Sequence, residues 1–359
     1  MTADDWRFFL VAIREALRAR PSPNPPVGAV VARGGRIVAR GHHRAAGDPH
    51  AEVVALRRAG AWARGATLFT TLEPCNHEGR TPPCTTAIAA AGIREVVVGA
   101  RDPNPRVRGG GIERLRRLGV SVRMQAPAEE RWNSERILEH FATATRLGRP
   151  HVDLKLATSI DGRIASRTGE SKWITSAKSR ENARWARRVF DAIVVGVGTV
   201  LADDPRLVAG VARALEPARV VLDSHLETPP RARMLRVRGG PVVLAHVSAP
   251  GSRGRRLAAR GAELLRCRAR GGRVDVADLL RRLFARGMIG VRVEGGSRVA
   301  GAFADRRLVD SVTVYRAPVL VGGEDALGAV GGRGFARLAE AIRFGGDDDY
   351  RHFSIPRRV

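Results

Sequence analysis

The chain of 359 residues contains only three cysteines and no apolar run long enough to cross a membrane. Two of the cysteines, Cys75 and Cys84, belong to the motif described below, which leaves Cys267 without a partner. A disulfide framework is therefore excluded, and we expect a reducing cytoplasm. The first twenty residues mix acids with arginines and lack the apolar stretch of a secretory signal, so we expect no export.

Lysine is also scarce, occurring only as Lys155, Lys172 and Lys178, yet the net charge is +26 because arginine is abundant along the whole chain. A nucleic-acid surface would concentrate basic residues in one block and interleave aromatic side chains. The sequence has no such block and only two tyrosines. We therefore interpret the charge as a compositional bias that still attracts phosphorylated substrates, and nucleic acid is not an expected partner.

A standard dinucleotide fingerprint is missing as well, because no G-x-G-x-x-G lies between a strand and a helix. Glycine turns remain at 196–199 and 294–297, each after a predicted strand. The second opens a predicted helix, whose free N–H groups suit a pyrophosphate. Taken alone, glycine turns after strands are more often only turns.

The chain does contain a metal-ligand pattern between Pro49 and Cys84. His50, Cys75 and Cys84 offer one imidazole and two thiolates, which leaves one position of a tetrahedral zinc open. Glu52 lies two residues after the histidine and is placed to move protons to and from a water at the metal. H-x-E followed by P-C and a second Cys is the signature of zinc deaminases of nucleobase-like rings. The alternatives are a structural zinc site, which normally needs four ligands, or cysteines that only pack.

Capping patterns predict how these ligands are carried. Asp48 is a candidate helix cap with Pro49 in the first turn, so His50 and Glu52 would lie in that turn. A second helix is predicted to begin at Cys84, where the helix N-terminus favours a thiolate.

Hydrophobic periodicity predicts an α/β fold in each half of the chain. In the first half, strands are predicted at 27–31, 36–41, 67–72, 95–99 and 119–124, and helices at 4–20, 50–59 and 129–147. In the second half, strands are predicted at 151–157, 192–197, 219–222, 242–246, 290–294 and 311–320, and helices at 176–189, 275–286 and 296–304. The stretch Gly148-Arg149-Pro150 predicts the boundary, giving domains 1–147 and 148–359.

The eight residues between the two cysteines, N-H-E-G-R-T-P-P, form a longer insert than the usual C-x-x-C. Together with H-A-E at 50–52 and S-P-N-P-P-V-G at 22–28, this insert resembles the bifunctional riboflavin-biosynthesis deaminase/reductase family of bacteria. The resemblance implies a cytidine-deaminase-like layered domain that removes an amine from a diaminopyrimidinone bearing a ribosylamino phosphate. The substrate contacts it implies in this domain are Asn24, His42, Asn76, His77, Arg80 and Asn104. Each could alone be turn chemistry, and His43 is expected to be solvated.

Motifs of the second half resemble the reductase domain of the same family: L-K-L-A-T-S-I-D-G-R at 154–163, G-E-S-K-W-I-T at 169–175, G-T-V-L-A-D-D-P at 198–205, L-D-S at 222–224 and V-E-G-G at 293–296. The resemblance implies a dihydrofolate-reductase-like fold that uses NADPH to reduce the ribosyl group to ribityl. The cofactor contacts it implies are Ala157, Thr158, Trp173, Thr199, Asp203, Ser224, Gly296, Ser297, Arg298, Val299, Ala300, Gly301 and Ala302. The substrate contacts it implies are Lys155, Ser171, Arg187, Leu207 and Glu294. Alternatively, Lys155 and Asp161 form an ion pair at the strand edge, and Trp173 is ordinary core.

One position departs from the family pattern. The family usually carries an arginine three residues beyond Leu207, where it reaches the substrate phosphate, but here Val208, Ala209 and Gly210 follow. Arg206 or Arg213 is the predicted substitute.

The sequence thus predicts one zinc ion per chain, NADPH and a phosphorylated pyrimidine as the small molecules bound, with a homo-oligomer, dimer or larger, as the assembly. The alternative from a different class is a zinc base deaminase that binds nucleic acid through its basic surface. A degenerate scaffold without activity is the third interpretation, which the intact motifs disfavour.

Overall fold

The structure is a computed structural model of the whole chain, and it describes residues 3–79, 81–105, 107, 110–125 and 134–342. The chain divides into two compact units, Met1–Arg149 and Pro150–Val359. The predicted boundary falls at the end of the last helix before this division, Glu139–Leu147. No described helix is both long and apolar enough to cross a bilayer.

The first unit alternates helices with strands around one sheet. Its elements in chain order are α1 (Ala3–Ala16), β1 (Gly28–Arg33), β2 (Arg36–His42), α2 (Ala51–Ala59), β3 (Thr67–Thr70), α3 (Cys84–Ala90), β4 (Glu95–Val98), α4 (Gly110–Arg117), β5 (Ser121–Met124), α5 (Ser134–Ile137) and α6 (Glu139–Leu147).

The five strands of this unit are ordered β2-β1-β3-β4-β5. β1 is antiparallel to β2 and β3, whereas β3, β4 and β5 run parallel. Neighbouring residues of one strand pack into different cores: Val96 lies in the cluster that includes residues of α2 and α3, and Val97 in the cluster that includes residues of α1. This is the period of two expected of a strand buried on both faces. The sheet therefore places α2 and α3, which begin beside and at the predicted ligands, on the same face.

The second unit contains a larger sheet. Its elements in chain order are β6 (His151–Thr158), α7 (Ala177–Ala186), β7 (Ala192–Gly196), α8 (Val197–Asp203), β8 (Ala218–Leu222), α9 (Arg233–Arg236), β9 (Val242–His246), α10 (Gly251–Ala259), β10 (Ala262–Arg266), β11 (Ala269–Arg270), β12 (Arg273–Val274), α11 (Val276–Phe284), β13 (Gly290–Val293), α12 (Ser297–Ala304) and β14 (Ser311–Arg316).

Seven strands of this unit are ordered β10-β9-β8-β7-β13-β6-β14, and every neighbouring pair is parallel. The central strands are buried almost throughout, as expected when helices cover both faces of a parallel sheet. Val194 and Val220 pack into one core, whereas Ile193 and Val221 pack into the other. Because all strands point the same way, the loops after them meet at one edge, where a ligand can bind.

The prediction of two α/β halves is confirmed, and each predicted strand has a counterpart in the structure. The predicted strand 311–320 ends earlier, at Arg316, because Pro318 cannot donate to a strand ladder. The predicted helix 129–147 is interrupted at Leu138, and its residues 129–133 lie outside the described part of the chain. The short helices α4, α8, α9 and α10 and the strands β10 to β12 were not predicted.

The predicted helix cap at Asp48 is wrong. The Asp48 carboxylate accepts a hydrogen bond from Arg44 Nε at 2.8 Å instead, and α2 begins only at Ala51. His50 is the residue that precedes the helix, with extended backbone angles and a side chain that does not cap it. The imidazole therefore makes no capping hydrogen bond and remains available as a ligand.

Candidate active sites

Three predicted metal ligands come together in the first unit, delivered by different kinds of local structure. Cys84 is the first residue of α3, as predicted, whereas His50 was expected in the first turn of α2 and instead immediately precedes that helix. Cys75 lies on an irregular segment after β3. The Nδ1 atom of His50 and the two Sγ atoms all lie within 4.8 Å of one another.

The distances within this cluster match a tetrahedral ion. His50 Nδ1 lies 3.2 Å from Cys84 Sγ and 3.4 Å from Cys75 Sγ. Zinc bonds of about 2.0 Å to nitrogen and about 2.3 Å to sulfur place neighbouring ligand atoms about 3.5 Å apart. The residues therefore fit zinc in both donor type and spacing.

Cys75 and Cys84 shift each other's pKa in opposite directions. The hydrogen bond from Cys84, followed by those from the His50 ring and the Cys84 backbone N–H, lowers the pKa of Cys75 to about 4. The same hydrogen bond, together with burial, raises the pKa of Cys84. Cys75 is therefore the thiol that ionises more readily, and binding of a metal ion would favour the thiolate form of both.

Glu52 lies in the first turn of α2 and is 3% exposed. Burial raises the pKa of Glu52 to about 7, since the nearby charge of His50 offsets it only in part. A carboxyl group that gains and loses its proton near neutral pH is suited to general acid and base catalysis. The structure buries Glu52 beside the ligand cluster, and its role as proton carrier stays a prediction.

The prediction that His43 is solvated is wrong, because this residue is 3% exposed and lies under the metal ligands. Its ring contacts the ring of His50 edge to face with centroids 5.3 Å apart. Its Nε2 lies 2.9 Å from Asn24 Nδ2, and its Nδ1 lies 3.3 Å from the carbonyl oxygen of Pro49. Burial lowers the pKa of His43, which favours the neutral ring. Asn24 thus contacts His43, and the His43 ring packs against the predicted ligand His50. No sequence motif indicated this supporting arrangement.

Four of the other predicted substrate contacts of this unit lie within the described residues, and none of them belongs to the ligand cluster. His42 Nδ1 lies 3.1 Å from Glu15 Oε2. Asn76 and His77 are exposed on the segment after Cys75, and Asn76 Oδ1 accepts a hydrogen bond from Thr85 at 2.9 Å. The backbone N–H of Asn104 donates to Asp102 Oδ1 at 2.8 Å. Arg80 lies outside the described residues.

Glu73 is a buried carboxylate beside the cluster that the sequence motifs did not single out. It immediately precedes Pro74 and Cys75, and it accepts hydrogen bonds from the backbone N–H groups of Asp102, Gly111 and Ile112. An acid two residues before a metal ligand in a largely apolar strand-to-loop segment was the available signal.

A cavity of about 1480 Å³ lies in the second unit, where β6, β7, β8 and β13 end. Most of the residues predicted to bind cofactor or substrate line it. The predicted cofactor residues on its wall are Ala157, Trp173, Thr199, Asp203, Ser224, Gly296, Ser297, Arg298, Val299 and Ala302. The predicted substrate residues on its wall are Lys155, Ser171, Arg187, Leu207 and Glu294.

Three predicted cofactor residues lie away from this wall. Thr158 is buried at the end of β6. Ala300 packs into the core on the inner face of α12. Gly301 lies against the backbone of Gly331, so that a Cβ atom there would be 2.2 Å from the Gly331 carbonyl oxygen. None of the three lines the cavity, and only Gly301 shows a close backbone approach that excludes a side chain.

A buried ion pair stands at the inner end of the cavity. Arg187 Nε and Nη2 donate to the two carboxylate oxygens of Glu294 at 2.9 and 2.8 Å, and Arg187 Nη1 donates to the carbonyl oxygen of Val208 at 3.0 Å. Burial alone would raise the pKa of Glu294, but the charges of Arg187 and Lys155 bring it down to about 2. Burial lowers the pKa of Lys155. The three side chains form a charged floor for a polar ligand.

The opposite wall of the cavity is more exposed. Lys172 Nζ lies 2.8 Å from Asp203 Oδ1, which joins the 169–175 segment to the end of α8. Trp173 is 69% exposed and is stacked by the guanidinium of Arg180 at 4.2 Å from the ring centroid. An aromatic face at a cavity mouth is available to a planar ligand such as a nicotinamide or a purine.

The arginines predicted to replace the missing phosphate contact do not line this cavity. Arg206 and Arg213 are both exposed, and the segment after Leu207 is turned toward Glu216, whose carboxylate accepts from the N–H groups of residues 209–211. Arg184 does line the cavity, one helical turn before Arg187. Within the described ranges, no ion pair or hydrogen bond occupies its guanidinium.

Family models match both units. The model described as RibD C-terminal domain matches residues 150–347. The model described as cytidine and deoxycytidylate deaminase zinc-binding region matches residues 2–100, which include the His50, Cys75 and Cys84 cluster.

Curated relatives and solved structures agree with these models over most of the chain. The riboflavin biosynthesis protein RibD of Aquifex aeolicus is 41% identical, with 86% of this chain and 85% of the relative covered. RibD of Escherichia coli K12 is 38% identical, with 95% and 94% covered. The Acinetobacter baumannii RibD structure (form 1) superposes with a TM-score of 0.76 at 34% identity, covering 95% of this chain and 94% of that one. A Thermotoga maritima structure titled diaminohydroxyphosphoribosylaminopyrimidine deaminase/5-amino-6-(5-phosphoribosylamino)uracil reductase superposes at 0.74 and 37% identity, covering 90% and 88%.

Proposed function

We infer the two reactions of this protein from the premise that the chain belongs to the RibD family of riboflavin biosynthesis proteins. Residues 1–147 form the deaminase domain and residues 148–359 the reductase domain. The single observation that carries the proposal is the His50, Cys75 and Cys84 cluster with buried Glu52 beside it.

In the first domain the reaction is hydrolytic deamination of 2,5-diamino-6-ribosylamino-4(3H)-pyrimidinone 5′-phosphate. When bound, zinc supplies the Lewis acidity that makes a water molecule nucleophilic near neutral pH. His50, Cys75 and Cys84 would hold it. Glu52 accepts a proton as water adds to the amine-bearing carbon and returns a proton to the departing ammonia. The pKa of Glu52, raised to about 7 by burial, lets the same carboxyl group do both.

In the second domain the ribosyl group is reduced to a ribityl chain. NADPH, when bound, supplies the hydride that is delivered to C1 of the sugar. Six arginines line the cavity: Arg180, Arg184, Arg187, Arg233, Arg273 and Arg298. This concentration of positive charge favours a cofactor with an additional phosphate and a phosphorylated substrate. Arg187, held by Glu294, presents a fixed polar floor against which the sugar is oriented.

The substrate phosphate needs a cation that the segment after Leu207 does not supply. Arg184 is the residue to which we assign this contact, because it lies on the cavity wall one turn from Arg187 and its guanidinium is not engaged elsewhere in the described chain. Arg206 and Arg213 are exposed and off that wall.

A base deaminase that acts on nucleic acid is the second candidate, and only the net charge of +26 favours it. It leaves the cavity of the second unit without a purpose. Salt-sensitive binding of RNA or DNA by the purified protein would support it.

The unpaired thiol of Cys267 is consistent with the reducing cytoplasm as the compartment. A homo-oligomer, dimer or larger, is the assembly we propose.

The decisive experiment measures the two activities separately on the full chain. Ammonia release is followed with the diaminopyrimidine substrate, and NADPH absorbance is followed with the substrate supplied already deaminated. A zinc chelator should abolish ammonia release and leave NADPH oxidation intact, and added zinc should restore the first activity. Loss of both activities on chelation contradicts the assignment of one reaction to each domain. Absence of ammonia release from the zinc-loaded protein contradicts the deaminase itself.

A further inference from the structure

Cys75 differs from the other two metal ligands in how it is supported. His50 adjoins the start of α2 and Cys84 begins α3, so both are fixed by helices that pack into the core. Cys75 lies on a loop, and the residues that follow it, Asn76 to Gly79, are exposed. A ligand on a loop needs another anchor if its sulfur is to stay at coordination distance.

The carboxylate of Glu73 joins three segments beneath this loop. Its Oε1 accepts from the N–H of Gly111 at 3.1 Å and of Ile112 at 3.3 Å, both in the first turn of α4. Its Oε2 accepts from the N–H of Asp102 at 3.2 Å, and Asp102 in turn receives the N–H of Asn104. A charged acceptor on a helix N-terminus is favoured by both the free N–H groups and the helix dipole.

The contact between α4 and the ligand loop is also close enough to exclude any side chain. A Cβ atom at Gly111 would lie 1.8 Å from the carbonyl oxygen of Pro74. Pro74 therefore rests directly on the helix backbone. Since Pro74 is bonded to Cys75, a displacement of α4 would move the backbone that carries the Cys75 side chain.

We propose that Glu73 is a positioning residue of the metal site, which holds Cys75 in ligand geometry by fixing the Glu73–Cys75 segment on α4. Through Asp102 the same carboxylate also ties the loop of Asn104, a predicted substrate contact, to that ligand. The inference rests on the proposed function in one respect only, that the cluster of His50, Cys75 and Cys84 binds a metal ion.

The test uses the full-length protein loaded with Co²⁺ and no substrate, because the thiolate-to-cobalt charge-transfer band reports the geometry of the cysteine ligands. Glu73→Ala should change the intensity of this band and accelerate cobalt loss to a chelator by roughly 10–100-fold, the usual effect of removing a group that orients a ligand. Glu73→Gln keeps one oxygen for Gly111 and Ile112, so it should recover part of the wild-type spectrum. Gly111→Ala should act in the same direction through Pro74. The matched control is Glu95→Gln, which removes a carboxylate bound to Arg123 Nε at 3.1 Å in the same unit.

A folded Glu73→Ala protein with the wild-type spectrum and the wild-type rate of cobalt loss overturns the proposal. If that variant fails to fold, Glu73→Gln and Gly111→Ala decide, and wild-type spectra in both overturn it equally. An altered band in Glu95→Gln as large as that in Glu73→Gln also overturns it, since the effect would then be one of domain stability. None of these measurements needs turnover, so they stand apart from the ammonia assay that tests the deaminase.

Discussion

The two candidate sites of this protein differ in how their residues are distributed along the sequence. In the first unit three ligand atoms within 4.8 Å of one another come from one stretch between His50 and Cys84. In the second unit a cavity of about 1480 Å³ takes its wall from residues between Lys155 and Ala329. A metal fixes the type and spacing of its ligands, so the first site leaves a motif in the sequence. A cavity needs only the convergence of loops at one sheet edge. The residues of the second site therefore lie in short, separated segments of the sequence, and their roles depend on the fold.

The largest effect is expected when the predicted proton carrier of the first unit, Glu52, is removed. Glu52→Gln should keep the bound metal and lower the rate of ammonia release by at least about 10²–10⁴-fold, the contribution of a general acid–base residue. NADPH oxidation with the deaminated substrate should be unchanged. The measurement is ammonia release per bound zinc.

Glu78→Gln is the matched control, because Glu78 is an exposed acid on the loop that follows Cys75. It should leave both activities near the wild-type values. Wild-type ammonia release by Glu52→Gln with zinc bound would show that another group carries the proton.

The next largest effect is expected at the floor of the cavity. Glu294→Gln leaves the buried guanidinium of Arg187 without its counter-charge, which typically costs about 3–5 kcal/mol. We therefore expect the second unit to unfold at a lower denaturant concentration, while metal binding in the first unit is retained. Glu181→Gln, which alters an exposed carboxylate on the same cavity wall, is the control. Equal midpoints for Glu294→Gln and the wild type would contradict a stabilising role for the pair.

Acid tests the same ion pair without a mutation. Burial raises the pKa of Glu294, but the charge of Arg187 outweighs burial, so that the pKa falls from 4.5 to about 2. The stabilisation is therefore fully present above pH 4.5 and is lost as the pH falls toward 2. The acid sensitivity of the second unit in this range should be absent from Glu294→Gln.

These contrasts also show which features can be predicted from sequence. Buried strands such as 192–196 and 242–246 were predicted because a continuous apolar run allows few other structures. Helix α10 begins with Gly251-Ser252-Arg253-Gly254 and was missed, because only packing of Gly254 and Leu257 on the sheet stabilises it.

The same limit applies inside the first site. The ligands and Glu52 follow from spacing, whereas the burial of His43 and of Glu73 depends on which loops are folded over them. Asp48 failed as a cap because its carboxylate accepts from Arg44 within the 44–48 turn, a local contact that competes with capping. A motif thus predicts the atoms that react, and the fold determines which groups hold them in place.

A smaller effect is expected from removal of Arg184, the proposed contact of the substrate phosphate. Arg184→Ala should raise the KM for the deaminated substrate by about 10–100-fold with little change in kcat, because a phosphate grip contributes mostly uniform binding. Arg213→Ala is the control, since Arg213 is exposed and off the cavity wall. The reverse pattern, with KM raised only by Arg213→Ala, would show that the segment after Leu207 binds the substrate phosphate.

The smallest effect is expected at an exposed ion pair of the cavity wall, Lys172 with Asp203. The side chains of Lys172 and Asp203 are 48% and 36% exposed, so water and salt screen the ion pair that joins the 169–175 segment to α8. Exposed pairs contribute about 0.2–1 kcal/mol. Lys172→Ala should therefore raise the Kd for NADPH by less than about fivefold. The difference from the wild type should shrink as salt is added, because the wild-type pair is then weakened too. Lys178→Ala, an exposed lysine on α7, should have no effect at any salt concentration. An increase in Kd of a hundredfold or more at high salt would mean that Lys172 binds the cofactor itself. The function of the exposed cavity wall would then depend on individual residues, as the function of the metal cluster in the first unit does.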